Sequence, residues 1–214
     1  MQFNKTNNWL KGSSFGYFLN FKKNNMSCNL TKGRNITCRD TVGGIKAIYF
    51  AQFDEVASYI TASGELTDFD LGASDDIYKY TLKRGTASCT ETLTGNSEAG
   101  TVFYTPSVNI KLHKLTKEDQ NQVKLLASNR LVIFLELNEV LTANSHNVLL
   151  ALGLENGMEL NSGTNATGTA FGDMNGYDWT FDGMERDPML TVQDYSSIPF
   201  DNAGFIYNSP VVTS

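Results

Sequence analysis

Apolar and polar positions alternate with a period of two along most of this chain. The run Ile45, Ala47, Tyr49, Ala51 against Lys46, Ile48, Phe50, Gln52 predicts a buried or nearly buried strand over Ile45–Phe53. Val56, Tyr59 and Ile60 predict a second, short strand, punctuated by Ser63-Gly64-Glu65 and by an acidic stretch, Asp68–Asp76, read as a loop. Ile77, Tyr78, Tyr80 and Leu82 form a further strand ending at Lys83-Arg84-Gly85. Ala87–Thr94 is the next, with Cys89, Glu91 and Leu93 on one face. The cleanest alternation follows, where Val102, Tyr104, Pro106, Val108, Ile110 and Leu112 share one side of Thr101–Leu112. Pro106 cannot donate to a ladder and so predicts an edge strand or a bulge.

The last two strands make a long hairpin around a polar tip, Asn96–Gly100, that is too hydrophilic to be core. A hairpin reaching beyond a small sandwich needs another surface to lie on, and a neighbouring subunit is one such surface. A single helix is predicted after it. Thr116 is its N-cap, Asp119 stands three residues on as a capping-box variant, and Asn129 is its stop. The stripe Val123, Leu126, Ala127 is thin, so this helix covers one sheet face and adds modestly to the core.

Leu131–Leu135 is a continuous apolar run of strand length, Asn138–Asn147 a polar loop, and Val148–Leu154 a partner strand. Glu155-Asn156-Gly157-Met158 predicts a hairpin turn, because Asn-Gly tolerates positive φ at both central positions. Asn161–Asn175 reads as a Gly/Thr/Asn-rich loop, and Tyr177, Trp179 and Phe181 alternate as a last core strand. Met189–Val192 adds an edge strand, and Gln193–Ser214 is an arm without periodicity. The sum is roughly eight to ten strands and one helix: a mainly β, antiparallel β-sandwich or barrel with one flanking α-helix.

Composition narrows what such a fold does. The chain has 214 residues and a formal charge of −6, which argues against a phosphate-tracking groove. Its three cysteines, Cys28, Cys38 and Cys89, cannot close a disulfide framework; three reduced thiols, or a Cys28–Cys38 bridge with Cys89 left over, are the readings. No run approaches the apolar length of a transmembrane helix. Residues 1–25 hold several Lys and Asn and no acid, unlike the acidic remainder. They read as a disordered arm or as upstream sequence ahead of a start at Met26, since Gly16 and Asn20 interrupt the apolar stretch that a signal peptide needs. The expected organisation is therefore 1–25 outside the domain, 26–192 a β-sandwich domain and 193–214 a C-terminal arm.

Catalytic chemistry finds little to stand on. Asp75/Asp76 and Glu118/Asp119 are explained by loop solvation and by the helix dipole. Asp173-Met174-Asn175-Gly176-Tyr177-Asp178 departs from calcium-loop spacing, and an Asx-stabilised turn is the simpler account. His113 and His146, the only histidines, lack triad or zinc-pair spacing. No catalytic, metal or cofactor residue is proposed, and the chain is expected not to be an enzyme.

Several segments resemble one family. These are Cys28–Arg34, Cys38-Arg39-Asp40 and Val42-Gly43-Gly44-Ile45-Lys46; Gly100-Thr101-Val102-Phe103-Tyr104; the helix from Leu115 to Asn129-Arg130; Gly153-Leu154-Glu155-Asn156-Gly157; and Thr167–Asp173 with Asn175-Gly176-Tyr177, then Phe181, Gly183 and Glu185. Over about Met26–Val192 they are similar to a family of tailed-phage virion proteins, commonest in phages of Bacteroidetes hosts, including flavobacteria. The layout also resembles tail tube proteins. The resemblance implies a virion structural protein made in the host cytoplasm, with hexameric rings stacked into a tube, other tail proteins as partners, and DNA passing through the lumen without specific binding. The assembly-interface candidates are then Thr94, Gly95, Asn96, Ser97, Glu98, Ala99, Gly100 and Thr101 at the hairpin tip, with Asp68, Asp70, Asp75 and Asp76. Another virion component (neck, tail terminator or baseplate) is the alternative within the same class. A glycan-binding sandwich using Tyr177 and Trp179 is the alternative from a different one, although their shared face favours core packing.

Overall fold

The structure is a computed structural model and describes residues 32–35, 41–72, 76–140, 146–195, 199–200 and 211–213. By its internal contacts the chain divides into Met1–Arg39 and Asp40–Ser214. Of the first unit only the exposed, irregular stretch 32–35 is described, so the proposed start at Met26, Cys28 and Cys38 lie outside the described residues.

The second unit is mainly β with one helix. Its described elements are β1 (Ile45–Gln52), β2 (Val56–Ala62), β3 (Glu65–Leu71), β4 (Ile77–Thr81), β5 (Ala87–Asn96), β6 (Thr101–His113), α1 (Lys117–Ser128), β7 (Leu131–Val140), β8 (Asn147–Leu152), β9 (Met158–Ala166), β10 (Gly176–Gly183), β11 (Leu190–Val192) and β12 (Val211–Thr213). One path of hydrogen-bonded neighbours runs β2-β3-β11-β8-β7-β9-β10-β6-β5, and β1 joins β7 to β4 and, through it, to β12. The pairing is antiparallel except where β11 meets β3 and where β12 meets β4. The order β5-β6-β10-β9 touches the rest of the ladder through a single pair, Leu131–Met158. These four strands therefore act as a second layer.

Both faces of β1 and β7 are buried, which is why their sequences are nearly continuously apolar. One face carries Ile48, Phe50, Ile133 and Leu135 against Val108, Ile110, Trp179 and Phe181 of the second layer. The Phe50 and Phe181 ring centroids lie 5.2 Å apart. The other face carries Tyr49 and Phe134 against Phe69, Ile77 and Phe200. Phe134 meets Phe69 and Phe200 edge-on at 4.9 and 4.7 Å.

Four sequence readings are corrected. First, Asp68–Asp76 is not a loop throughout: Asp68 and Asp70 lie within β3, and Asp68 is buried. Ile60 pairs with Asp68 but Thr61 with Leu66, so Thr67 is an extra residue that puts Leu66 and Phe69 in one core three positions apart. That bulge breaks the period-two pattern and disguises the strand. Second, Asn138 and Glu139 belong to β7, and Asn161–Ala166 to β9, because cross-strand pairing there overrides polar composition. Third, β8 and β9 do not pair as a hairpin; each pairs with β7, and the Leu154–Gly157 turn carries the chain from one layer to the next. Fourth, the tail is partly core: Phe200 is buried and β12 pairs with β4. Isolated anchors of this kind leave no periodicity to read.

Pro106 occupies an interior strand, yet the ladder accommodates it. The β10 partner of β6 ends at the Asp182–Ser107 pair. Tyr104 then exchanges both backbone hydrogen bonds with Glu185, at 2.8 Å each. Main-chain donors alternate in direction along a strand, so the position that lacks an N–H falls in the gap between these two contacts.

The helix forms as expected. Thr116 Oγ1 accepts from the Asp119 N–H at 3.1 Å and donates to the Asp119 carboxylate at 2.5 Å. Leu126 alone of its residues is buried. Tyr177 Oη donates to the Thr116 carbonyl at 3.2 Å, tying the cap to β10.

Candidate assembly surfaces

The β5–β6 hairpin pairs without interruption from Ala87–Ile110 to Asn96–Thr101. Its tip is a built turn: Asn96 Oδ1 accepts from the Glu98 and Ala99 N–H groups, both at 3.0 Å. All of Thr94, Gly95, Asn96, Ser97, Glu98, Ala99, Gly100 and Thr101 are exposed. Among the described residues no long strand accompanies β6 on its β10 side beyond Ser107, so the hairpin continues past β10. Paired residues share a face, and the face buried at Val108 and Pro106 continues outward through Tyr104, Leu93, Gly95 and Val102. Leu93 and Val102 are 60% and 57% exposed, so a core-type face extends uncovered into solvent. The opposite face is threonine-rich, with Thr92, Thr94, Thr101 and Thr105.

The acidic candidates do not form one surface. Asp68 is buried, and its Oδ1 accepts from the Phe69 N–H at 3.0 Å. Asp70 is half-buried in β3, Asp76 begins the approach to β4, and Asp75 lies outside the described residues. Asp68 therefore offers almost no exposed surface on its own subunit.

Three of the quoted sequence segments meet at the join between the layers: Tyr104, the 153–157 turn and Glu185. Glu185 is buried and accepts from the Glu155 and Asn156 N–H groups at 2.9 and 3.1 Å. Burial pushes its carboxyl above the ordinary range, against the pull of those donors. The Asn156 amide donates to the Met184 carbonyl at 2.6 Å, and the same short segment holds the β6 bridge at Tyr104. Gly153 and Gly157 have φ of 76° and 83°. A Cβ on Gly153 would lie 2.9 Å from the Leu131 carbonyl, and one on Gly157 3.0 Å from Arg130 Cβ. Arg130 itself caps the Phe53 ring at 4.5 Å and pairs with Asp54 at 2.6 Å. Thus Glu185 links Tyr104 at the base of the hairpin to the Glu155–Asn156 turn.

A buried charge cluster escapes sequence reading. Glu136 ends the apolar run of β7 and is buried, accepting from Tyr49 Oη at 2.7 Å, Lys46 Nζ at 2.8 Å and Lys79 Nζ at 3.3 Å. Burial alone raises a carboxyl, but hydrogen bonds from Lys46 and Tyr49 and the two ammonium charges outweigh it and hold Glu136 below its ordinary value. Burial and the bond to Glu136 push the Tyr49 phenol well above its own. A carboxyl with a lowered folded pKa stabilises fully above its ordinary value of 4.5 and loses that contribution as pH falls through the lowered value. Glu136→Gln should therefore cost about 1–3 kcal/mol at neutral pH, toward the lower end because the lysines are partly exposed. The gap to the parent should close in acid. Urea titrations of both proteins at about pH 7 and about pH 3 read this out; an unchanged gap would refute the assignment.

Other polar groups make contacts within the subunit. His146 Nδ1 lies 3.0 Å from Asp194 Oδ1, and its ring stacks on Tyr195 at 4.7 Å, which pins the start of the tail. Cys89 is free and half-buried, its thiol pushed up to about 11 by burial and by Glu91, so it is un-ionised at neutral pH. Tyr177 and Trp179 are buried, so neither offers a stacking face to a glycan. A cleft of about 130 Å3 between α1 and β1/β4, lined by Phe50, Tyr78, Tyr80 and Leu126, is smaller than drug-sized ligand sites. Among the described residues no three His, Cys, Asp or Glu gather as a metal site, and no helix is long and apolar enough to cross a membrane. The chain matches no family model, no curated protein and no solved structure.

Proposed function

We propose that this chain is a non-enzymatic structural subunit that assembles with copies of itself, and that it is the tail tube subunit of a tailed phage. One observation carries the reading: the core face of the β5–β6 hairpin runs past its own sheet and stays uncovered at Leu93 and Val102. An exposed apolar face on a rigid, preformed hairpin is stabilised by burial against another protein surface. The Tyr104–Glu185 bridge, tied in turn to the Glu155–Asn156 backbone, supports the same reading, since it anchors the base of the protruding hairpin to the body.

In this proposal copies form hexameric rings through heterologous contacts, and the rings stack into the conduit of the virion tail. A net charge of −6 disfavours adhesion of DNA passing through the lumen. Negative-stain electron microscopy and sedimentation of the purified chain test the proposal. Hollow tubes of constant diameter are expected. Single closed rings that never stack would favour a tail terminator or neck component. A monomer at high concentration that binds soluble glycans would replace the proposal with a binding module.

A further inference from the structure

The layer β5-β6-β10-β9 presents different apolar features at its two ends. β6 spans its length, from Thr101 beside Asn96 to His113 beside Gly176. At strand rise this separates the ends by about 40 Å. One end is the hairpin, where Leu93 and Val102 are exposed. Between them Gly95 presents bare backbone: a Cβ placed there would find only Val102 Cγ2 nearby, at 3.8 Å. A glycine in a strand interior leaves a gap on the sheet that an aromatic ring can cover.

The other end is the β9–β10 connection, residues 167–175. Phe171 stands at its apex, fully exposed. The loop that holds it is fixed. Asp173 Oδ2 accepts from the Thr169 and Ala170 N–H groups at 2.8 and 2.7 Å, and the Asp173 N–H donates to the Ala170 carbonyl at 3.0 Å. Lys114 N–H donates to the Asn175 carbonyl at 2.7 Å, anchoring the loop to the end of β6. An aromatic on so constrained a loop loses little further entropy when it is buried by a partner.

Charge is distributed to match. Around the Phe171 end lie exposed Lys83, Arg84, Lys111 and Lys114 beside one exposed acid, Asp173, whose carboxylate is held by the Thr169 and Ala170 N–H groups, while Glu98 is the charged residue of the tip. Lys111 also pairs with Asp178 at 3.3 Å, which leaves Lys83, Arg84 and Lys114 as the cations available to an acidic tip. Like ends would repel weakly and unlike ends attract.

We infer that copies stack head to tail through this pair of ends, Phe171 of one copy seating over Gly95 between Leu93 and Val102 of the next. The two surfaces differ, so the contact is heterologous and does not close into a two-fold dimer; translated along the layer it generates a continuing stack. The inference rests on the self-assembly proposed above and names its axial contact.

The test compares the parent chain with Phe171→Ser. The substituted side chain touches nothing within its own subunit, so thermal melting by circular dichroism should be unchanged. Rings should persist, but the protein concentration needed for tubes should rise on the order of tenfold per lost contact, multiplied around the ring. In a Cys28→Ser, Cys38→Ser, Cys89→Ser background, Phe171→Cys combined with Val102→Cys should give a ladder of oxidised multimers, and each single cysteine none beyond a dimer. Parent tubes with equally abundant Phe171→Ser tubes, or no ladder from the double cysteine, would overturn the inference and leave self-assembly standing. A parent chain that never assembles would overturn the self-assembly reading and the axial contact with it.

Discussion

Trp179→Ala is expected to lower stability by about 3–5 kcal/mol, a large share of the total for one domain. Trp179 is among the largest fully buried side chains and lies at the centre of the core between the layers. Its ring packs against Tyr177 at 4.9 Å, and its indole N–H donates to Asn165 Oδ1 at 3.4 Å. The space it fills is made for it: a Cβ on Gly163 of the neighbouring strand would come within 2.8 Å of its Cδ1. Truncation forfeits the burial of a large aromatic and leaves a cavity that two hydrogen-bonded strands cannot close, since β10 is held by β6 on one side and β9 on the other. Urea unfolding followed by far-ultraviolet circular dichroism measures the loss; a change below about 1 kcal/mol would show that the layers are not joined through this residue. Because the proposed self-association would raise apparent stability, parent and variant are compared at a concentration where both are monomeric.

Trp179 also marks how far the sequence alone is legible. The alternation Tyr177, Trp179, Phe181 is a one-face pattern on a regular strand, and it reads correctly as core. The helix cap at Thr116 and the long hairpin read correctly for the same reason: each depends on contacts local in the chain. What fails depends on distant partners. Asp68 looks like loop because a bulge at Thr67 shifts the phase of β3. Phe200 looks like tail because it enters the core alone. β8 and β9 look like a hairpin because Asn-Gly chemistry reports a turn and not which strand lies beyond it.

The site residues divide in the same way. The tip residues Asn96–Gly100 are legible as a polar turn between alternating runs, whereas the uncovered face below them appears only once the β10 pairing is seen to stop at Ser107. Glu136 carried a signal, an acid ending an apolar run, but its partners Tyr49, Lys46 and Lys79 are supplied by other strands. Phe171 carried one too, as a lone aromatic in a Gly/Thr/Asn segment, but composition reports only a loop and not which of its residues stands exposed.

Shortening the hairpin is expected to abolish the proposed assembly while leaving the subunit folded. Replacing Gly95–Val102 by Asn-Gly brings Thr94 and Phe103, already cross-strand partners, to the flanks of a two-residue turn. Lys111 N–H donates to the Thr86 carbonyl across this ladder, so the odd-numbered residues of β6 face β5 and Thr94–Phe103 is a hydrogen-bonded pair. Such a pair is suited to closure by a type I′ turn, for which Asn-Gly supplies both positive φ angles. The deleted residues are exposed, and the nearest fixed point, the Tyr104–Glu185 bridge, is retained. Stability should therefore change by no more than about 1 kcal/mol. Assembly should suffer far more, because the tip, Val102 and the Gly95 seat are removed together from every copy and each subunit interface loses its apolar centre. If the parent forms the proposed tubes, analytical ultracentrifugation should find the variant as monomers or unstacked rings, with matching circular dichroism. Tubes of normal length would show that the uncovered face of the hairpin is not an interface. A variant that fails to fold would show instead that the hairpin stabilises its own subunit, an outcome that a single Val102→Thr substitution on the intact hairpin would separate from an assembly defect.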